Sequence, residues 1–304
     1  IAAARALLPQ LQASSARSEH LRRLDESAVA AIQGSGLSRM LAPRRFGGHE
    51  LAPSHHIRSC IELAHGCAAA SWVHMVCGAH TFVVGRYPEP CLAEVFGATP
   101  DVLIPGTLAP QGVARLVDGG WQLSGRWQFG SGVDHGPWLL LGAQAAANDG
   151  ETPLPPIHVV LPTAQIAIDD TWHTLGMRGT GSKDIVAKDV FVPDHRAMPT
   201  RGLFRGDFEG DAGPLYRLPV LGSLAAMLAG TVLGIAQAGL HRFIEATMAR
   251  SDASSRQSKA ERPGIQMRVA EAQGELELAA MLVERNCLLL DDAMARHQPP
   301  LDAH

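Results

Sequence analysis

The sequence predicts an α+β protein in which helices come first, strands second and helices again last. Apolar periodicity switches twice along the chain, and the turn-punctuated segments are confined to the middle third. Hydrophobic residues make up 46% and charged residues 18% of 304 residues. That is enough apolar material for a sizeable core and too little charge for a disordered chain.

Residues 1–104 read as an N-terminal helical domain. Alanine-rich helical spacing dominates, broken at Gly34–Gly36, at APRRFGGHELAP and at Tyr87–Pro90. Ser54 is expected to cap a helix through Ile57, Ile61 and Leu63. Ala68 to Val84 is apolar and rich in small residues, which predicts a buried helix. Residues 105–200 read as a β domain. Gly119-Gly120 is a turn pair followed by the alternating, aromatic WQLSGRWQF. WLLLGAQAA, IHVVLP and DIVAKDVFVP follow, each bounded by Gly, Pro or Asn/Asp, which predicts a small barrel or sandwich rather than a parallel sheet.

Residues 201–304 read as a C-terminal helical bundle. One long helix is expected over Leu221–Arg250 and a second after Pro263-Gly264, with the polar loop SDASSRQSKAERPG between them. Within it, Leu218 to Leu240 carries no charge and is long enough to span a bilayer. It also stacks Gly222, Ala226, Gly230, Gly234 and Ala238 at four-residue spacing along one helix face. Each internal Gly costs about 1 kcal/mol of helix propensity relative to Ala. Something must approach that face closely, either another helix or a flat ligand, and a buried bundle helix is expected rather than a membrane span.

Charge and cysteine usage exclude several classes. The net charge is −4 with no run of Lys or Arg, so no nucleic acid is expected as partner. The five cysteines are odd in number and contain no C-x-x-C pair, unlike a secreted disulfide scaffold or a zinc ribbon. The first residues hold Arg and Glu throughout and no apolar stretch, so no signal peptide is expected and the expected location is the cytoplasm.

Known catalytic motifs are mostly missing. GMRGTGSKD (176–184) is not a phosphate loop, because Gly181 is followed by Ser182 before Lys183 and the string opens a strand instead of a helix. The dinucleotide fingerprint and G-x-S-x-G are absent. The histidines show no H-x-x-x-H or H-E-x-x-H spacing, so no metal site is expected. His80 stands out in an otherwise apolar helix, two turns after Trp72 and on roughly the same face. A polar group there needs a partner, and a ligand is one candidate. In WQFGSGVDHGPWLLLGA (127–143), a strand ending in Gly-Ser-Gly lets backbone approach a planar ligand, with Trp127 as a stacking wall or simply a core residue.

Taken together, Phe46-Gly47-Gly48, SGRWQFGSGVDHGPWLLLGA and TWHTLGMRGTGSKDIVAKDVFVPDHRAM resemble the acyl-CoA dehydrogenase superfamily. More narrowly they resemble its flavin-dependent monooxygenase branch, the oxygenase components of two-component aromatic hydroxylases. The resemblance covers nearly the whole chain and implies an acyl-CoA dehydrogenase-like fold, a homotetramer formed through the C-terminal helices, and a separate flavin reductase as partner. It implies that reduced flavin (FMN or FAD) reacts with oxygen at C4a and that the hydroperoxide hydroxylates a small aromatic or polycyclic substrate.

By position in the family motif, Ser131 matches the hydroxyl near flavin N5, and Trp127, Phe129 and Gly132 would line the isoalloxazine. His80 matches a substrate-facing histidine, with Trp72 as a neighbouring wall, and Arg250 matches a basic residue on the flavin's phosphate side. The dehydrogenases' catalytic Glu has no convincing match here. The hydroxylase branch carries a further C-terminal His near an Arg-Asp motif, in a segment that would lie beyond His304. The alternatives are an acyl-CoA dehydrogenase-like FAD oxidoreductase and a non-catalytic flavin-fold protein.

Overall fold

The computed structural model describes residues 1–149, 152–205, 213–250 and 258–297. The helices α1 (Ala2–Ala6), α2 (Leu8–Leu21), α3 (Glu26–Gly34), α4 (Pro53–Gly66), α5 (Ala68–Val84) and α6 (Glu89–Phe96) come first. Strands β1 (Gly106–Val117), β2 (Gly120–Gly130), β3 (Trp138–Ala146), β4 (Pro153–Pro162), β5 (Ala167–Asp169), β6 (Lys183–Pro193) and β7 (Ala197–Pro199) follow. The short α7 (Thr200–Arg205) leads to α8 (Val220–Met248) and α9 (Pro263–Arg296). Residues 251–257, the first half of the expected polar loop, lie outside the described residues.

The strands form one seven-stranded sheet in the order β5-β6-β2-β1-β3-β4-β7. Every neighbouring pair is antiparallel except β1 with β3. That parallel pair is possible because a loop through Gly132 and His135, not a hairpin, connects β2 to β3. One apolar cluster, built on Trp127, Leu139, Leu141, Val159 and Ile185, lies within the sheet. A second and larger cluster joins helices from both ends of the chain, including Ile57 and Leu63 of α4, Phe82 of α5, Met227 of α8 and Cys287 of α9.

The small-residue stripe of α8 faces another helix. A Cβ on Gly230 would stand 2.5 Å from Ile57 Cγ2, and one on Gly234 would stand 2.7 Å from the Ile61 backbone. The glycines therefore let α8 close on α4, and the propensity they cost is recovered in that packing. Gly222, at the start of the stripe, meets nothing within 4 Å. The helix is long and apolar enough to cross a membrane by length and composition, and 44% of its most apolar window is buried in the fold.

Two expectations about helix ends are corrected. Ser54 does not cap α4. Ala52 holds the N-cap position, Pro53 opens the first turn, and the buried Ser54 hydroxyl has no partner in the structure. The long helix ends at Met248, leaving Arg250 two residues beyond it.

Candidate active site

The site grows out of one irregularity in β2. Trp127 sits opposite Ile185 and Gly130 opposite Lys183, so three steps along β2 match two along β6. This is a β-bulge, and Phe129 within it has a φ of 65°, where non-glycine residues are uncommon. Without the bulge, Trp127 and Phe129 would share a face of the sheet. With it, they part.

Trp127 goes inward. It is fully buried, its indole N–H donates to the Gly142 carbonyl at 2.6 Å, and its ring fills the space that a Cβ on Gly112 would need. This corrects the expectation that Trp127 lines the flavin: it is the centre of the sheet's core. Phe129 goes outward and is 63% exposed, with its ring edge-on to Trp172 at a centroid distance of 6.2 Å.

Immediately after β2, Ser131 and Gly132 meet the segment that precedes β6. The Gly132 N–H donates to the Thr180 carbonyl at 2.8 Å, and the Ser131 hydroxyl lies 2.7 Å from that of Ser182. Gly132 has a φ of 76°, and a Cβ there would stand 2.7 Å from Val73 of α5. Only glycine fits, and its absence of a side chain brings α5 close enough for the Trp72 indole N–H to donate to Ser131 Oγ at 3.1 Å. Gly132 therefore seats the helix against the loop.

Trp72, Phe129, Ser131, Trp172, Met177, Thr180 and Ser182 line one largely apolar cavity of about 280 Å³, near the small end of ligand sites at ~300 Å³. Its rim is fixed from α2. Arg22 forms a two-point ion pair with Asp170 at 2.5–2.6 Å and donates to the Trp172 carbonyl, while the Glu19 carboxylate accepts from the Arg178 and Gly179 N–H groups. Lys183 and Asp134 pair at 2.8 Å beneath the Ser131 loop, with side chains only 11% and 15% exposed. Met177, like Phe129, has a positive φ (56°), so two strained residues border the same cavity.

Trp72, Phe129 and Ser131 are thus brought together. His80 is not among the residues lining that cavity. It lies two turns further along α5, buried, with Nδ1 donating to the Ile104 carbonyl at 2.9 Å. Burial pushes its pKa down to about 4, so the ring is neutral and Nε2 carries the lone pair. Arg250 is exposed past the end of α8 and does not reach the cavity.

The sequence reading missed Trp172, Met177, Thr180 and Ser182. Met177, Thr180 and Ser182 lie in GMRGTGSKD (176–184), which does not fit the phosphate-loop pattern, and Trp172 lies in the string that carries the family resemblance. What was not legible is that β6 pairs with β2, which carries Ser182 to Ser131.

His56, Cys60 and His74 offer ligand-type atoms within 4.8 Å of one another in the core between α4 and α5. Burial holds His56 down near 4 and His74 well below its ordinary value, and pushes the Cys60 thiol up to about 12. The thiol is therefore protonated and both rings are neutral at ordinary pH.

Comparison with known proteins gives this cavity its context. Residues 226–303 match the family model described as acyl-CoA dehydrogenase, C-terminal domain. The chain is 34% identical over 284 residues to the FADH2-dependent resorcinol hydroxylase, oxygenase component, of Rhizobium sp., covering 90% of this chain and 69% of that protein. It belongs to the family of flavin-dependent monooxygenase oxygenase components. The oxygenase subunit HsaA of Rhodococcus jostii is 31% identical, over 90% of this chain and 72% of its own length. Among solved structures, XiaF from Streptomyces sp., in complex with FADH2 and glycerol, superposes with a TM-score of 0.89 at 29% identity, covering 99% of this chain and 76% of that one. This monooxygenase therefore has the acyl-CoA dehydrogenase-like fold.

Proposed function

We propose that the cavity beside Ser131 takes the isoalloxazine ring of a reduced flavin and that the enzyme hydroxylates a small aromatic substrate. The observation that carries this reading is the Ser131 hydroxyl, presented at a cavity walled by the rings of Trp72, Phe129 and Trp172. Aromatic walls suit a planar ring, and the Ser131 hydroxyl, backed by those of Ser182 and Thr180, suits one polar ring atom, which we take as N5. Bound there, the flavin would supply oxygen activation through its C4a hydroperoxide. The chain's own residues would exclude water and hold that ring in register. FADH2 appears in the names of both the resorcinol hydroxylase and the XiaF complex, which favours FAD over FMN as the first flavin to test.

A separate reductase would deliver the reduced flavin, as the term oxygenase component in the relatives' names suggests. His80 is proposed to act toward substrate as a neutral hydrogen-bond partner, since its depressed pKa makes it a weak base.

Stopped-flow mixing of anaerobic protein and reduced FAD with oxygen tests the reading. A long-lived C4a-hydroperoxide absorbance is expected, and oxidation at the free-solution rate would sink it. Replacing Ser131 by Ala is expected to raise hydrogen peroxide release relative to hydroxylation, and unchanged coupling would remove Ser131 from its role at N5.

We also propose that the enzyme is a homotetramer. Leu228, Val232 and Phe243 of α8 and Met281, Leu282 and Leu288 of α9 are each 42–69% exposed. Several large apolar side chains left in water on two neighbouring helices mark an association surface, and a second copy of the same helices would cover them. Light scattering should give four times the chain mass for the native protein and a smaller species for Leu282→Glu. A native monomer at micromolar concentration would refute this.

A further inference from the structure

Trp72, Ser131, Ser182, Thr180 and the Met177 carbonyl form an unbroken hydrogen-bonded chain. The Trp72 indole N–H can only donate, and it reaches Ser131 Oγ at 3.1 Å. Ser131 Oγ lies 2.7 Å from Ser182 Oγ, and Ser182 Oγ lies 2.7 Å from Thr180 Oγ1. Thr180 Oγ1 lies 2.9 Å from the Met177 carbonyl oxygen, which can only accept. Each hydroxyl owns one proton. Along this chain, only one orientation gives all three protons an acceptor within the protein: Thr180 donates to Met177, Ser182 to Thr180, and Ser131 to Ser182. The reverse orientation sends the Ser131 proton into the cavity. Ser131, Ser182 and Thr180 are all at least 95% buried, so an unpaired proton there has a real cost.

We infer that this chain fixes Ser131 as a hydrogen-bond acceptor toward the cavity, making Ser182 and Thr180 positioning residues that select the reduced over the oxidised flavin. Reduced flavin carries a proton on N5, which an acceptor hydroxyl receives. Oxidised flavin presents a lone pair at N5, which the same hydroxyl meets with a lone pair of its own. Discrimination thus depends on where the Ser131 proton points, and that is decided two hydroxyls away, at Met177. The inference rests on the flavin reading above and adds to it the reason one redox state would be preferred.

Two variants separate this from a merely structural role. Thr180→Val keeps the shape but removes the terminal acceptor, so the Ser182 proton turns to Ser131 and the Ser131 proton turns to the cavity. Ser182→Ala deprives Ser131 of its acceptor directly. Dissociation constants are measured for oxidised FAD by fluorescence and for reduced FAD anaerobically, on the purified full chain, with near-ultraviolet circular dichroism confirming native packing. The native protein is expected to favour reduced FAD. In each variant that preference should fall by about five- to tenfold, the worth of one hydrogen bond, mainly through tighter binding of the oxidised form. A simple packing defect would weaken both forms alike and leave the ratio unchanged, which would overturn the inference while leaving the flavin reading intact. Failure of the native protein to bind either form would overturn both.

Discussion

Between pH 7 and pH 4 the protein is expected to lose most of its stability, and four buried histidines, His56, His74, His80 and His158, set most of the slope. His56, His80 and His158 all have pKa values lowered by burial to about 4, against an ordinary value of 6.5. Their hydrogen bonds explain why the neutral form is retained. His158 Nε2 donates to the Leu108 carbonyl while its Nδ1 pairs with the Thr200 hydroxyl, so the neutral ring has both nitrogens satisfied and burial opposes a second proton. His80 and His56 each donate once to a carbonyl, and His56 Nδ1 is buried without a partner.

In the unfolded chain all four bind protons as the pH drops through 6.5, while in the folded chain His56, His80 and His158 do not until about 4 and His74 is likewise held well below its ordinary value. The unfolded state then binds more protons, so stability falls as pH falls, and it is fully present only above about 6.5. Each histidine can contribute a loss of about 3 kcal/mol at roughly 1.4 kcal/mol per unit, and the sum is comparable with the ~5–15 kcal/mol of a whole domain. Urea midpoints measured across this range should decline with a slope approaching four protons, and His158→Gln should reduce that slope by one. A flat profile down to pH 4.5 would mean that the rings protonate in place.

The same histidines show what the sequence could and could not yield. That His80 occupies a buried apolar helix was legible from its neighbours. Its Ile104 partner was not, because that contact depends on how the chain re-enters the sheet at Gly106. The helix–strand–helix order was accessible through periodicity, and motif resemblance singled out Trp72 and Ser131 separately, but their hydrogen bond to each other was not legible. The roles of Trp127 and Phe129 were not. Both are aromatic and two apart, so alternation alone puts them on one face, and the bulge that separates them has no signature beyond the neighbouring glycines. Ser182 and Thr180 were lost for a related reason: a hydroxyl chain between two strand ends exists only once register is known. The glycine stripe on α8 was the reverse case. Spacing showed that something packs there, and the structure identifies it as α4.

That stripe gives a second large effect, with opposite signs along one helix. At Gly234 a new Cβ would press on the backbone of Ile61, 2.7 Å from both its Cα and its carbonyl oxygen, and on Ala64 at 3.0 Å. Backbone cannot rotate away, so α8 must shift off α4. Gly234→Val is expected to cost about 3 kcal/mol, at the upper end of overpacking. At Gly230 the obstacle is Cγ2 of the buried Ile57, a β-branched side chain with little χ1 freedom in a helix, so Gly230→Ala should also destabilise, by less than Gly234→Val because a side-chain methyl and not backbone is displaced. At Gly239 a Cβ meets nothing within 4 Å. Gly239→Ala should therefore recover the helix propensity, a gain of up to about 1 kcal/mol. Chemical denaturation of the three variants distinguishes contact from propensity. If all three moved stability by the same amount and in the same direction, backbone entropy would govern the helix, and the close approach of α4 and α8 would not be what the glycines are for.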